Sequence, residues 1–168
     1  MFDFGLSRKY IDKTKTVIPP RKDIGWRGTT RYGSLQAHRK QDLGRRDDME
    51  SWLYMLIEIS KGHLPWRMVT DRHKVYECKL ACREDFRPAL LGVLPKQYDE
   101  LLTLIDKLSF ESQPQYGEYV KLLNQVCEEN NVDMNQPYDW EIEPMASSVH
   151  TSVTKSVDNS ASEEIKAN

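Results

Sequence analysis

Three places in this 168-residue sequence carry residue types that could do chemistry. Residues 1–46 hold twelve Lys and Arg against four Asp and Glu, an excess of eight positive charges within a chain whose net charge is −2. Such a surface attracts anions. Nucleic acid is one, an acidic or phosphorylated peptide is another, and a solvated loop with no ligand accounts for the same charges. Cys78 and Cys82 with nearby His73 have metal-ligand chemistry, but nothing supplies a second paired half; small cysteines buried on a helix satisfy the spacing as well. Asp3-Phe4-Gly5 is too short to mean anything by itself.

The elements that must position these residues read mainly as helices. Residues 1–31 show no sustained period and contain Gly5, Pro19, Pro20, Gly25 and Gly28, so a long irregular segment is expected. Irregular segments of that length inside a domain are usually functional. Tyr32 to Arg39 has room for a short helix. Asp47 and Glu50 stand three apart as in an N-terminal capping box, and eight of the eleven residues from Met49 to Ile59 are apolar. That predicts a central helix, wrapped on nearly every side and ended at Gly62. Further helices are predicted over Thr70–Arg83, capped by Thr70 or Asp71, over Gln97–Leu108, and over Pro114–Asn130 with Pro114 in the first turn. Residues 144–168 have a disordered composition, rich in Ser, Thr, Lys and Glu without an apolar stripe.

Composition closes some classes. The longest apolar run, Trp52 to Ile57, is far short of the roughly 18–20 residues of a membrane helix, and no secretory layout follows Met1. Three cysteines without regular spacing argue for a reducing compartment rather than a disulfide framework.

The order of the motifs is more specific than any one of them. Asp3-Phe4-Gly5-Leu6-Ser7-Arg8 is followed by Gly28-Thr29-Thr30-Arg31-Tyr32-Gly33-Ser34, then by Gly44-Arg45-Arg46-Asp47-Asp48 with Glu50-Ser51, and then by Gly62-His63-Leu64-Pro65-Trp66. Pro114-Gln115-Tyr116 and Tyr138-Asp139-Trp140 come later. This series resembles the activation segment and succeeding helices of the casein kinase 1 family. Leu64-Pro65-Trp66-Arg67 and the run from Asp47 to Leu56 are most similar to its tau-tubulin kinase-like branch. The resemblance covers about residues 1–141. It implies a mainly α fold, the helical C-terminal lobe of a protein kinase without its N-terminal β-rich lobe and catalytic loop. The implied layout is an activation segment at 1–31, a partial C-lobe at 32–143 and a tail at 144–168.

The resemblance also implies roles. Asp3 matches the carboxylate that holds Mg²⁺ against the phosphates of ATP in the complete family, while Phe4 matches a residue of the hydrophobic spine and Gly5 one that lets the backbone turn. Thr30, Arg31 and Tyr32 match the loop that receives the substrate peptide, with Arg31 as an anion-binding arginine whose fork suits phosphate. Gly62 matches a second, backbone contribution to that site. For Arg31 the alternative is a surface ion pair. Asp48 matches the carboxylate that fixes the catalytic-loop backbone in kinases, the alternative being a cap beside Asp47. The implied partners are acidic or phosphorylated protein substrates rather than nucleic acid or a membrane, and the implied location is the cytoplasm, with the nucleus as an alternative.

The family's glycine-rich loop, strand lysine, helix glutamate and His-Arg-Asp loop are not found in the 168 residues. The expectation is therefore a chain that does not transfer phosphate alone and binds neither ATP nor Mg²⁺. Met1 is expected to be an internal methionine of a longer kinase, with a missing N-terminal half or a stabilising partner needed to cover the central helix. Three outcomes follow from the sequence: part of a serine/threonine kinase, a non-catalytic module that docks acidic or phosphorylated peptides, or an unstable fragment with no role.

Overall fold

The computed structural model describes residues 4–22, 24–138 and 140–141. It is mainly helical, with α1 Leu35–His38, α2 Arg45–Lys61, α3 Arg72–Ala81, α4 Arg87–Leu91, α5 Lys96–Asp106 and α6 Tyr116–Glu129. One compact unit runs from the start to Asp133 and a second begins at Met134. In the second, the rings of Tyr138 and Trp140 stack with centroids 4.5 Å apart. Asp3, and the tail expected over 144–168, lie outside the described residues.

Before α1 the chain is irregular, as its prolines and glycines predict. Among the described residues, pairing there is confined to one bridge, Ile11 with Val17, and the bend between them is tied by the Asp12 carboxylate, which accepts from the amides of Thr14 and Thr16 at 2.8 and 2.9 Å. A side chain thus supplies the hydrogen bonds that a sheet would otherwise provide.

The caps show why α2 starts where it does. Gly44 is the N-cap, and the Asp47 side chain reaches back to accept from the Gly44 amide at 2.8 Å. Asp47 is therefore the third helical residue of the box and not its cap, which shifts the predicted start by three residues. Glu50, expected as its partner, turns inward instead. At the other end Gly62 adopts φ 86°, a left-handed conformation that suits glycine, and its amide donates to the Glu58 carbonyl at 2.7 Å. Asp71 caps α3 by accepting from the Lys74 amide at 2.8 Å. Pro114 precedes the N-cap of α6, Gln115, instead of entering its first turn.

Helix α2 packs against α5 and α1, α1 against α3, and α5 against α6. Leu53, Tyr54 and Ile57 of α2 meet Leu101, Leu102 and Ile105 of α5 in one core with Leu64, Trp66, Leu90 and Leu122. Tyr54 and Trp66 are edge-on, with centroids 5.0 Å apart. The central helix is not wrapped all round, however. Met55 is 45% and Ile59 74% exposed, because α1 and α5 cover only part of its circumference. This division predicts that Leu53→Ala costs about 3 kcal/mol in urea-induced unfolding of the full chain, while Ile59→Ala stays within about 0.5 kcal/mol of wild type.

Candidate functional site

The Thr30–Gly33 turn lies over the base of α3. Trp66 Nε1 donates to the Arg31 carbonyl at 2.9 Å, and Lys79 Nζ donates to the carbonyls of Thr30 at 2.9 Å and Gly33 at 2.6 Å. The turn closes on itself where the Gly33 amide donates to the Thr29 carbonyl at 2.8 Å. Glycine suits position 33, since a Cβ there would meet Thr29 O at 3.0 Å and the Trp26 ring at 3.1 Å and would require those neighbours to shift by a few tenths of an ångström. With three carbonyls held from below, the Arg31 side chain emerges above, 49% exposed.

Arg31 Nη1 meets the Glu58 carboxylate at 3.3 Å, and the Tyr32 hydroxyl donates to the other Glu58 oxygen. That bond raises the Tyr32 phenol above its ordinary range. An exposed ion pair of this kind is worth less than about 1 kcal/mol, so an incoming dianion can displace it. The Gly62 amide is already committed to the Glu58 carbonyl and has no further hydrogen to offer a ligand.

Lys79 is the residue that sequence reasoning missed. It is fully buried, and among the described residues no carboxylate lies within ion-pair distance. Instead its ammonium stands 4.9 Å from the Tyr54 ring centroid, 5.2 Å from that of Trp66 and 3.2 Å from His38 Nε2. Burial, only partly offset by Glu50 at longer range, pulls its pKa down to about 7. His38 is pulled down to about 4, first by burial and then by Lys79 and Arg72, which makes it a neutral acceptor for Lys79. The available signal was positional: Lys79 follows Val75 by four residues and precedes Cys82 by three, on the apolar side of α3.

Beside this cluster, Glu50 Oε1 accepts from Arg83 Nη2 at 2.9 Å, from the Tyr54 hydroxyl at 2.7 Å and from the Leu35 amide at 3.1 Å. Burial pushes Glu50 upward, and the Arg83 charge, the Tyr54 hydroxyl and the Leu35 amide pull it part of the way back. Arg83 also reaches Asp106 at 3.3 Å, and these acceptors hold its guanidinium charged despite burial.

Next to the turn, a cleft of about 540 Å³ opens between the irregular segment and the start of α2, lined by Arg8, Arg21, Thr29, Tyr32, Asp42 and Asp48 among others. Asp42 ties its wall together. It accepts from Arg8, from the Arg21 amide at 2.8 Å and from Arg21 Nη2 at 2.8 Å, and the Arg21 bond above all keeps its carboxyl well below the usual range. Asp48 is exposed as a residue, yet protein atoms crowd its carboxyl and, with Asp47 alongside, raise it. Asp47 does the capping, so the Asp48 carboxylate is left facing the cleft. Phe4 does not pack into a spine but is 64% exposed, and Gly5 sits in a turn closed by the Ser7 amide on the Phe4 carbonyl at 2.9 Å. Among the described residues no three His, Cys, Asp or Glu side chains converge as a metal site, Cys78 and Cys82 included.

No family model matches the chain. Serine/threonine-protein kinase spe-6 of Caenorhabditis elegans is 40% identical over 146 residues, which is 84% of this chain and 38% of that kinase. Casein kinase I homolog 1 of Saccharomyces cerevisiae is 34% identical over 144 residues, 83% of this chain and 27% of the yeast protein. The chain belongs to the casein kinase 1 family and its related serine/threonine kinases. A probable serine/threonine-protein kinase of Dictyostelium discoideum is similar in the same way, 36% identical over 143 residues and 28% of its length. The chain thus spans well under half of the kinases it matches, and its helices match the expected mainly α character of a kinase C-terminal lobe.

Two measurements check the buried charges. Arg83→Met strands the Glu50 carboxylate and is expected to cost about 3 kcal/mol or more in denaturant unfolding, against a small effect of replacing exposed Lys121. His38 binds a proton at about 4 in the fold and at 6.5 when unfolded, so the unfolded chain takes it up first. The His38 contribution to stability is accordingly full above pH 6.5 and falls as pH drops toward 4, and His38→Gln is expected to flatten that interval.

Proposed function

We propose that this chain is the substrate-docking part of a casein kinase 1-type serine/threonine protein kinase, related to the tau-tubulin kinase-like branch. In the complete protein, ATP with Mg²⁺ supplies the phosphoryl group, and the substrates are acidic or phosphorylated protein peptides in the cytoplasm or nucleus. The observation that carries this reading is the Thr30–Gly33 turn, clamped from below so that the Arg31 guanidinium stands out from a basic segment. Arg31 spends one of its N–H groups on Glu58 and has others for a phosphate. Thr30 and Tyr32 shape the turn on either side.

The Asp48 carboxylate, raised and turned to the cleft, has the character needed to accept backbone amides from a catalytic loop. Asp3 is the residue that would hold Mg²⁺, but one carboxylate is no donor set, and the described residues offer no cluster to complete it. Without a His-Arg-Asp loop in the 168 residues there is also no proton acceptor for a substrate hydroxyl. Docking without transfer is therefore the activity proposed for this chain by itself. A non-catalytic binding module is the second reading, favoured because every docking residue named here lies within the chain. A stabilising partner, an N-terminal kinase half among them, would cover the exposed Met55 and Ile59 of α2.

A fluorescein-labelled phosphoserine peptide titrated with the 168-residue chain is expected to bind, with affinity falling as salt rises and at least about ten-fold weaker for Arg31→Ala. Binding that ignores both salt and Arg31 would sink the docking proposal. Transfer of radioactive phosphate from ATP by the chain alone would sink the claim of docking without transfer.

A further inference from the structure

Burying a lysine ammonium is costly unless strong acceptors surround it, and an apolar side chain would fill the same volume more cheaply. At position 79 the acceptors are not a counter-ion but two backbone carbonyls of one turn, those of Thr30 and Gly33, 49 and 46 residues away in sequence. The carbonyl between them in the same turn, that of Arg31, is held by Trp66. Three carbonyls facing one buried cation and one indole N–H define the turn's inner face, and this arrangement sends the Arg31 side chain outward. The rest of the lining serves the same cation: the faces of Tyr54 and Trp66, and the His38 nitrogen at 3.2 Å. Glu50, the acid whose charge acts on Lys79, is taken by Arg83, Tyr54 and Leu35.

We infer that Lys79 is a positioning residue for the docking site: by holding the Thr30 and Gly33 carbonyls it sets the turn in the shape that presents Arg31 to a phosphorylated or acidic peptide. The inference rests on the docking role proposed for Arg31, and it adds that affinity is set by a side chain that never meets the ligand. Trp66 is the second member of the clamp. Removing its N–H frees the Arg31 carbonyl while leaving an aromatic ring under Lys79.

The test uses the full chain as wild type, Lys79→Met, Trp66→Phe and Arg31→Ala. Docking is read by anisotropy of a fluorescein-labelled phosphoserine peptide. Turn order is read by hydrogen exchange of the Gly33 amide, compared with amides in the middle of α5. Lys79→Met is expected to weaken docking by about ten-fold or more and to speed Gly33 exchange while α5 protection is kept. Trp66→Phe is expected to weaken docking about three-fold or more with the same selectivity. Should Lys79→Met also lose α5 protection, Trp66→Phe decides: wild-type docking and Gly33 protection in that variant overturn the clamp. Lys79→Met that docks like wild type while Arg31→Ala does not overturns the inference and leaves the docking role standing. A wild-type chain that does not bind the peptide overturns the docking role, and Gly33 exchange in Lys79→Met then decides whether Lys79 sets the turn at all.

Discussion

A cation sealed from water with no carboxylate against it has to be solvated by whatever the fold can bring, and Lys79 dictates what that is. Its ammonium gathers two carbonyls of the Thr30–Gly33 turn, the faces of two aromatic rings and a histidine held neutral. Each contact fixes something else. The carbonyls fix the turn, the rings fix how Tyr54 and Trp66 meet across the core, and the histidine fixes α1 against α3. A lysine whose pKa drops from 10.5 to about 7 on folding costs stability as pH falls below 10.5, in full below about 7, so the site keeps a costly buried charge in return for a defined loop.

The same logic explains how some thirty residues stay ordered with almost no secondary structure. Backbone groups in the irregular segment find partners in carboxylates: Asp12 for its bend, and Asp42 for the Arg21 amide and for the guanidinium groups of Arg8 and Arg21. The segment is basic and its anchors are acidic, so the charges of Arg8 and Arg21 are spent on its own conformation. Arg31 differs because Glu58 is only partly covered and the pair is open to solvent. That contrast between spent and available arginines is what gives the basic surface a direction.

Much of the architecture was legible because apolar spacing is a local property. Helices α2, α3, α5 and α6 follow from stripes such as Leu101, Leu102 and Ile105, and Asp71 and Gly62 mark their ends. Errors arose where a choice was not local. Asp47 and Glu50 have the spacing of a cap and its partner, but the cap is Gly44, and Glu50 is drawn inward by Arg83, which lies 33 residues away. Helix α4 escaped notice because five residues around Pro88 make too short a stripe to recognise. Ile59 reads as core by composition and is exposed because no described element covers that side of α2.

From residue order alone came the mainly helical class, the irregular basic segment, the kinase-like series of motifs and Arg31 as the side chain to watch. Those are properties of neighbours along the chain, where spacing and side-chain type are sufficient. Tertiary structure alone decided that Lys79 and Trp66 lie under the turn, that the Gly62 amide is consumed, and that Asp47 makes the cap while Asp48, which also lines the cleft, does not. The reason is physical: whether a polar group is satisfied depends on partners brought together by packing, many of them 30 to 50 residues apart, and no local pattern records which partner arrives.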